Sequence, residues 1–193
     1  MHHIHHTEGL ILGSKNYGEA GKCYYLFTRD LGMIFASAQG VRKMSSKLRY
    51  VLQDFSYIKV DLVRGKDFWR LTSASKTNLL ENISKNKEAL KVFVNIARLL
   101  KRLLAGELAN QNLFADLVGG FLMLEKFENE TDLRNIEAIM VLRILHNLGY
   151  IGGNENLNNL IKSPFENQLV LQVAENRASI LSEINKALQE THL

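Results

Sequence analysis

At 193 residues, with 46% apolar and 23% charged, the chain is long enough to bury a core and too apolar to be disordered. No apolar run approaches the ~20 residues of a bilayer-crossing helix, and the start MHHIHHTEGLILG lacks the long apolar region of an export signal, so a cytoplasmic protein without membrane attachment is expected. The net charge of +4 is unevenly held: residues 1–80 carry twelve Lys and Arg against six Asp and Glu, and residues 81–193 carry twelve against fourteen, so a basic half is joined to a mildly acidic one and only the first suits a polyanion.

The first 75 residues alternate in the manner of strands, in short runs rich in β-branched and aromatic residues and separated by glycine. TEGLILGSK comes first, then KCYYLFTRD, GMIFASAQG, FSYIKVDLV and DFWRLTSAS. RDLG, Arg29 to Gly32, and RGKD around Gly65 supply tight turns. The third and fourth runs are joined by a longer basic stretch, GVRKMSSKLRYVLQDFS. Five short strands with a longer insertion after the third match the small Greek-key OB barrel. An SH3-like barrel has a similar strand count, and periodicity alone does not separate the two.

From about Asn78 the apolar period becomes helical. Leu79, Leu80 and Ile83 lead into Leu90, Phe93, Val94, Ala97, Leu100 and Leu104, ended by Gly106. Leu113 to Leu122 make a second helix, and Leu133 to Leu148 a third, stopped by Gly149. GGNENLNN, residues 152–159, reads as a loop, and SPFE as a capping box with Ser163 as the cap and Pro164 in the first turn of a last helix. The expected architecture is α+β: a five-stranded OB-fold barrel over residues 1–76, then a helical bundle over 77–193.

Chemistry-bearing motifs are few. GSKNYGEAGK resembles a phosphate loop, but Glu19 stands where its lysine belongs and the stretch joins strand to strand. His2, His3, His5 and His6 have no acid or cysteine nearby to complete a metal site and read as a terminus. Cys23, the single cysteine, excludes an internal disulfide and reads as a small buried residue. No hydrolase or metalloprotease signature is present, so neither catalysis nor a cofactor nor a metal is expected.

The basic residues carry more. Arg42, Lys43, Lys47 and Arg49 fall within ten positions, with no acid between Gly40 and Asp54. Lys15, Arg64, Lys66 and Arg70 join them in the barrel half. Such an array suits phosphates spaced along a strand, which release counterions as they dock. Among the aromatics Tyr17, Tyr24, Tyr25, Tyr50, Tyr57 and Trp69, most are expected in the core, with Tyr17 favoured as an exposed stacking face because it lies in a turn. On residues alone, a solvated basic face and a nucleic-acid surface both remain open.

TEGLILGSKNYGEAGKCYYLFTRDLGMI followed by AQGVRKMSSKLRYVLQDFSYIKVDLVRGKDFWRLTSA resembles the amino-terminal OB domain of the RecO recombination mediators, and MVLRILHNLGY resembles the helix end preceding their zinc segment. The resemblance implies a non-enzymatic protein that binds single- and double-stranded DNA, anneals strands and helps load recombinase, with RecR and the acidic tail of single-strand-binding protein as partners. It makes Arg42, Lys43, Lys47 and Arg49 phosphate contacts, and places a partner-peptide groove near Arg143 and Tyr150. IGGNENLNNLIKSPFE has none of the four cysteines found there in many members, so the chain reads as a shortened, metal-free version. The alternative is an adaptor whose helical half binds an acidic peptide and whose basic stretch only solubilises.

Overall fold

The computed structural model describes residues 3–152 and 155–190. By their contacts the residues form two compact units: Met1–Glu81 together with Ala97–Gln111, and Asn82–Ile96 together with Asn112–Leu193.

The first unit holds five strands, β1 (Ile4–Tyr17), β2 (Gly21–Thr28), β3 (Gly32–Ala38), β4 (Tyr57–Arg64) and β5 (Trp69–Lys76). They close into a barrel in the order β1-β2-β3-β5-β4, with β4 returning to β1. All neighbours are antiparallel except β3 and β5, which pair in parallel at Ala36–Trp69 and Ser37–Arg70. That one parallel closure gives the OB topology and excludes the open SH3 alternative. β1 serves two partners because it bends: its register shifts between Ile11 and Gly13, and Gly13 takes φ +137°, which an L side chain resists. Inward residues Ile11, Tyr24, Leu26, Ile34, Ile58, Val60 and Leu62 are almost fully buried, each aliphatic contributing about 1.5–3 kcal/mol. The strand begins earlier than the sequence indicates: Ile4 to His6 pair with Val63 to Asp61, and His6 Nδ1 meets Asp61 at 2.6 Å. His3, His5 and His6 therefore flank or join a sheet.

Among the described residues five α-helices follow: α1 (Lys87–Leu103), α2 (Gln111–Leu124), α3 (Glu130–Asn147), α4 (Glu155–Lys162) and α5 (Asn167–Glu190). In the second unit Phe93 of α1 stacks on Phe121 of α2 with ring centroids 3.8 Å apart, and α3 packs along α5. Asn129 caps α3, accepting from the Thr131 amide at 2.9 Å, with Glu130 and Asp132 in the favourable first turn.

Three helical expectations are corrected. Leu79 and Leu80 lie outside any helix, because Asn78 and Leu80 adopt φ of 60° and 63° and the Leu79 amide turns to Thr77 Oγ1. Residues read as a loop contain α4, whose Leu157, Leu160 and Ile161 are buried. Ser163 closes α4 instead of opening α5: its amide donates to the Asn159 carbonyl at 3.0 Å and its hydroxyl to Asn159 Oδ1 at 2.5 Å.

Candidate nucleic-acid interface

The stretch joining β3 to β4 is tied down by its apolar residues. Val41 and Leu52 enter the barrel core, and Leu48 and Val51 pack against it. Turns close at Lys43 N to Gly40 O and Ser46 N to Lys43 O, both 3.0 Å, before a 3-10 turn over Lys47–Tyr50. The far end is stitched to β1 by Phe55 N to Ile11 O and Ile11 N to Ser56 O, each 2.9 Å. With the apolar positions used inward, the cations between them are left to solvent.

Arg42, Lys43 and Lys47 are exposed and Arg49 half-buried. None makes an ion pair with a carboxylate among the described residues. Arg42 Nη1 donates to the Glu19 carbonyl at 3.3 Å, across the β1–β2 turn, and Arg49 lies 5.3 Å over the Tyr50 ring. Arg42 and Arg49 share a cavity of about 480 Å³ with Lys22 and Tyr24.

A second set lies on the outward face of β1, β2 and β3. Tyr25 stands opposite Phe35 in the β2–β3 register, rings 4.9 Å apart. Lys15 Nζ lies 4.8 Å over Phe35, and Lys101 Nζ 5.6 Å over Tyr25. Phe68, from the β4–β5 turn, meets Phe35 at 6.4 Å and Tyr17 at 5.6 Å, edge to face. Tyr17 is 49% exposed. Aromatic faces interleaved with ammonium groups form a track on which bases can stack while phosphates are held alongside.

The remaining sequence candidates are placed differently. Arg64 is paired with Glu107 and lies 5.1 Å over Trp69. Lys66 and Arg70 are exposed, in the β4–β5 turn and on β5. Tyr24, Tyr57 and Trp69 are buried, whereas Tyr50 is open. Burial raises the Tyr57 pKa, reinforced by its hydrogen bond to Glu8 Oε2 at 2.7 Å. Cys23 is buried, and that burial raises its thiol pKa against the opposing pull of Lys15.

Arg143 is enclosed within the helical unit, 3% exposed. It donates through Nε to the Leu160 carbonyl and through Nη1 to Asp116, both 2.9 Å, and through Nη2 to the Ser163 carbonyl, while stacking 4.2 Å from Phe165. Burial lowers its pKa and Asp116 opposes that. Tyr150 lines a cavity of about 180 Å³, a different one from the cavity of about 360 Å³ that Arg143 lines.

Phe35, Phe68, Lys22 and Lys101 were not singled out from sequence. For Phe35 the signal was present: folding β2 onto β3 about Arg29–Leu31 sets Tyr25 against Phe35. Phe68 and Lys101 arrive from distant segments and leave no local trace.

The closed five-stranded topology, with an aromatic and cationic β2–β3 face, defines an OB-type barrel, a class in which that face and its flanking turns commonly take oligonucleotides. Residues 1–79 match the family described as Recombination protein O N terminal. The chain is 29% identical over 147 residues to the DNA repair protein RecO of Heliobacterium modesticaldum, covering 76% of this chain and 52% of that one. It is 30% identical over 134 residues to the RecO of Alkaliphilus metalliredigens, covering 68% and 54%. Against the RecO of Clostridium novyi it is 26% identical over 147 residues, covering 76% and 57%. The chain belongs to the RecO family, and it spans about half the length of the curated relatives it matches.

Proposed function

We propose that this chain is a DNA-binding recombination mediator acting in DNA repair, with no catalytic step of its own. Its barrel holds the backbone through Arg42, Lys43, Lys47 and Arg49, supported by Lys15, Lys66 and Arg70, while Tyr17 and its aromatic neighbours receive bases. The observation that carries this reading is the run of four cations without a carboxylate partner among the described residues, on a connection anchored to the barrel. Phosphate would supply the charge the chain withholds. The finer activities, annealing strands and assisting recombinase loading on both single- and double-stranded DNA, follow the family, as do RecR and the tail of single-strand-binding protein as partners. For the acidic tail, the helical unit offers a cavity of about 360 Å³ with Leu122, Met123 and Phe165 on its walls and exposed Lys126 beside them. Arg143 supports those walls through its carbonyl and Asp116 bonds.

Binding of a labelled single-stranded oligonucleotide, measured across a salt series, tests the proposal. Replacing Arg42, Lys43, Lys47 and Arg49 by alanine is expected to weaken binding irrespective of sequence and to flatten the log–log salt slope by roughly 3. An unchanged slope removes those residues from the interface. Tight binding of an acidic, apolar peptide with no DNA binding would favour the adaptor instead.

A further inference from the structure

The cavity of about 480 Å³ at the end of the barrel is lined unlike a phosphate groove. Its size falls in the range of small-ligand sites, about 300–1,000 Å³. Lys22, Arg42 and Arg49 supply positive charge, and Val41 and Leu52 an apolar floor. Asp54 also lines it, with no ion pair among the described residues, although two arginines line the same space. A carboxylate in a purely phosphate-binding groove repels its ligand. It is useful if the ligand carries N–H donors as well as a phosphate. Tyr24 gives the second, independent observation: it is fully buried, lines the cavity, and its hydroxyl has no hydrogen-bond partner among the described residues. Leaving such a hydroxyl unpaired costs about 1–3 kcal/mol, a cost that a ligand's polar edge would remove. The Tyr24 pKa is pushed up to about 12, by burial first and then by the charge of Asp54, so the phenol stays a donor and its oxygen feels that carboxylate. Gln53 completes the rim with an amide, held by its Nε2 donating to the Arg49 carbonyl at 2.7 Å.

We infer that this cavity receives one unstacked nucleobase of a bound single strand, its N–H donors on Asp54, its adjacent carbonyl oxygen accepting from the Tyr24 hydroxyl, and its phosphate on Arg42 and Arg49. Guanine fits best, because its adjacent N1–H and amino donors can meet both oxygens of one carboxylate. The inference rests on the nucleic-acid reading above and adds a base-reading site to it.

The full chain is titrated by fluorescence anisotropy with a thymine oligonucleotide and with the same strand carrying one central guanine, and separately with free 5′-dGMP as competitor. The guanine strand is expected to bind at least about fivefold more tightly. Asp54→Asn should abolish that preference, and Tyr24→Phe should reduce it without changing the salt slope. Gln53→Trp, at an exposed rim position, should block the cavity in a folded protein and abolish the preference as well. Competition by free dGMP would mark the pocket as reading the nucleotide itself; competition absent, with the strand preference intact, would mark it as reading a base delivered by the strand. Equal binding of the two strands, or a preference that survives both Asp54→Asn and Gln53→Trp, overturns the pocket alone. Failure of the wild-type chain to bind either strand overturns the nucleic-acid reading together with it.

Discussion

Tyr24 shows how much a single buried polar atom can govern. Its pKa, about 12, lies above the ordinary value of 10. A raised tyrosine pKa favours the folded state below the unfolded value, and this contribution is lost as pH rises through the folded one, so stability should fall between pH 10 and 12. The loss is on the order of 2–3 kcal/mol from this group, and Tyr57 shifts in the same direction. Urea midpoints at pH 9 and pH 11.5 should therefore separate widely in the wild type and less in Tyr24→Phe. At Arg143 the expectation is larger: replacement by alanine takes the guanidinium from Asp116, which keeps its Asn147 bond, unpairs the Leu160 and Ser163 carbonyls from the enclosed side chain, and should cost about 3–5 kcal/mol of stability. Lysine should rescue it poorly, since one ammonium cannot reproduce the three-directional fork; chemical denaturation of both variants checks this. Tyr17→Ala should weaken oligonucleotide binding by about 1–3 kcal/mol with an unchanged salt slope, read from the same titration series. The exposure of Arg42, Lys43 and Lys47 was legible from sequence because charge is a local signal, and Tyr17 is exposed as expected although it ends β1, paired with Gly21, instead of lying in the turn. That Tyr24 would line a cavity, or that Arg143 would be enclosed by Leu160 and Ser163, depends on chain segments far from each and could not be read from spacing.

Among the elements, the strands were the most readable, since a period of two between glycines leaves few alternatives, and even the Tyr25–Phe35 pairing follows from the turn that joins them. The turn itself is demanding. Gly32 adopts φ +71°, and a Cβ there would run into the Leu108 backbone. Gly32→Ala should therefore destabilise the protein by about 1–3 kcal/mol, seen as a lowered unfolding midpoint, and loosen the register that brings the stacking faces together. The helices were less readable where composition misled. ENLNNLIK is rich in asparagine, a poor helix former, yet Leu157, Leu160 and Ile161 fall at helical steps and are buried, so tertiary burial overrides propensity. Conversely, the apolar Leu79 and Leu80 continued a helical pattern that the backbone at Asn78 and Leu80 does not follow.

Across the whole molecule, the sequence's excess of positive charge lies in the barrel half, where Arg42, Lys43, Lys47 and Arg49 have no carboxylate partner among the described residues, while Arg143 of the helical unit is spent on internal bonds. The two compact units are nevertheless not consecutive in sequence. Residues 97–111 belong with the strands, where Lys101 covers Tyr25, Glu107 pairs with Arg64, and Gln111 reaches Asp30 at 3.2 Å. A fragment ending at Glu81 lacks all of these and should melt below the intact chain, which differential scanning calorimetry would register. The consequence reaches into biosynthesis. A ribosome delivers the last strand at Lys76, but the residues that finish the barrel's outer wall follow only after fifteen residues of another unit, Asn82–Ile96, have emerged. The nascent barrel must wait, incompletely dressed, until its neighbour has begun to be made.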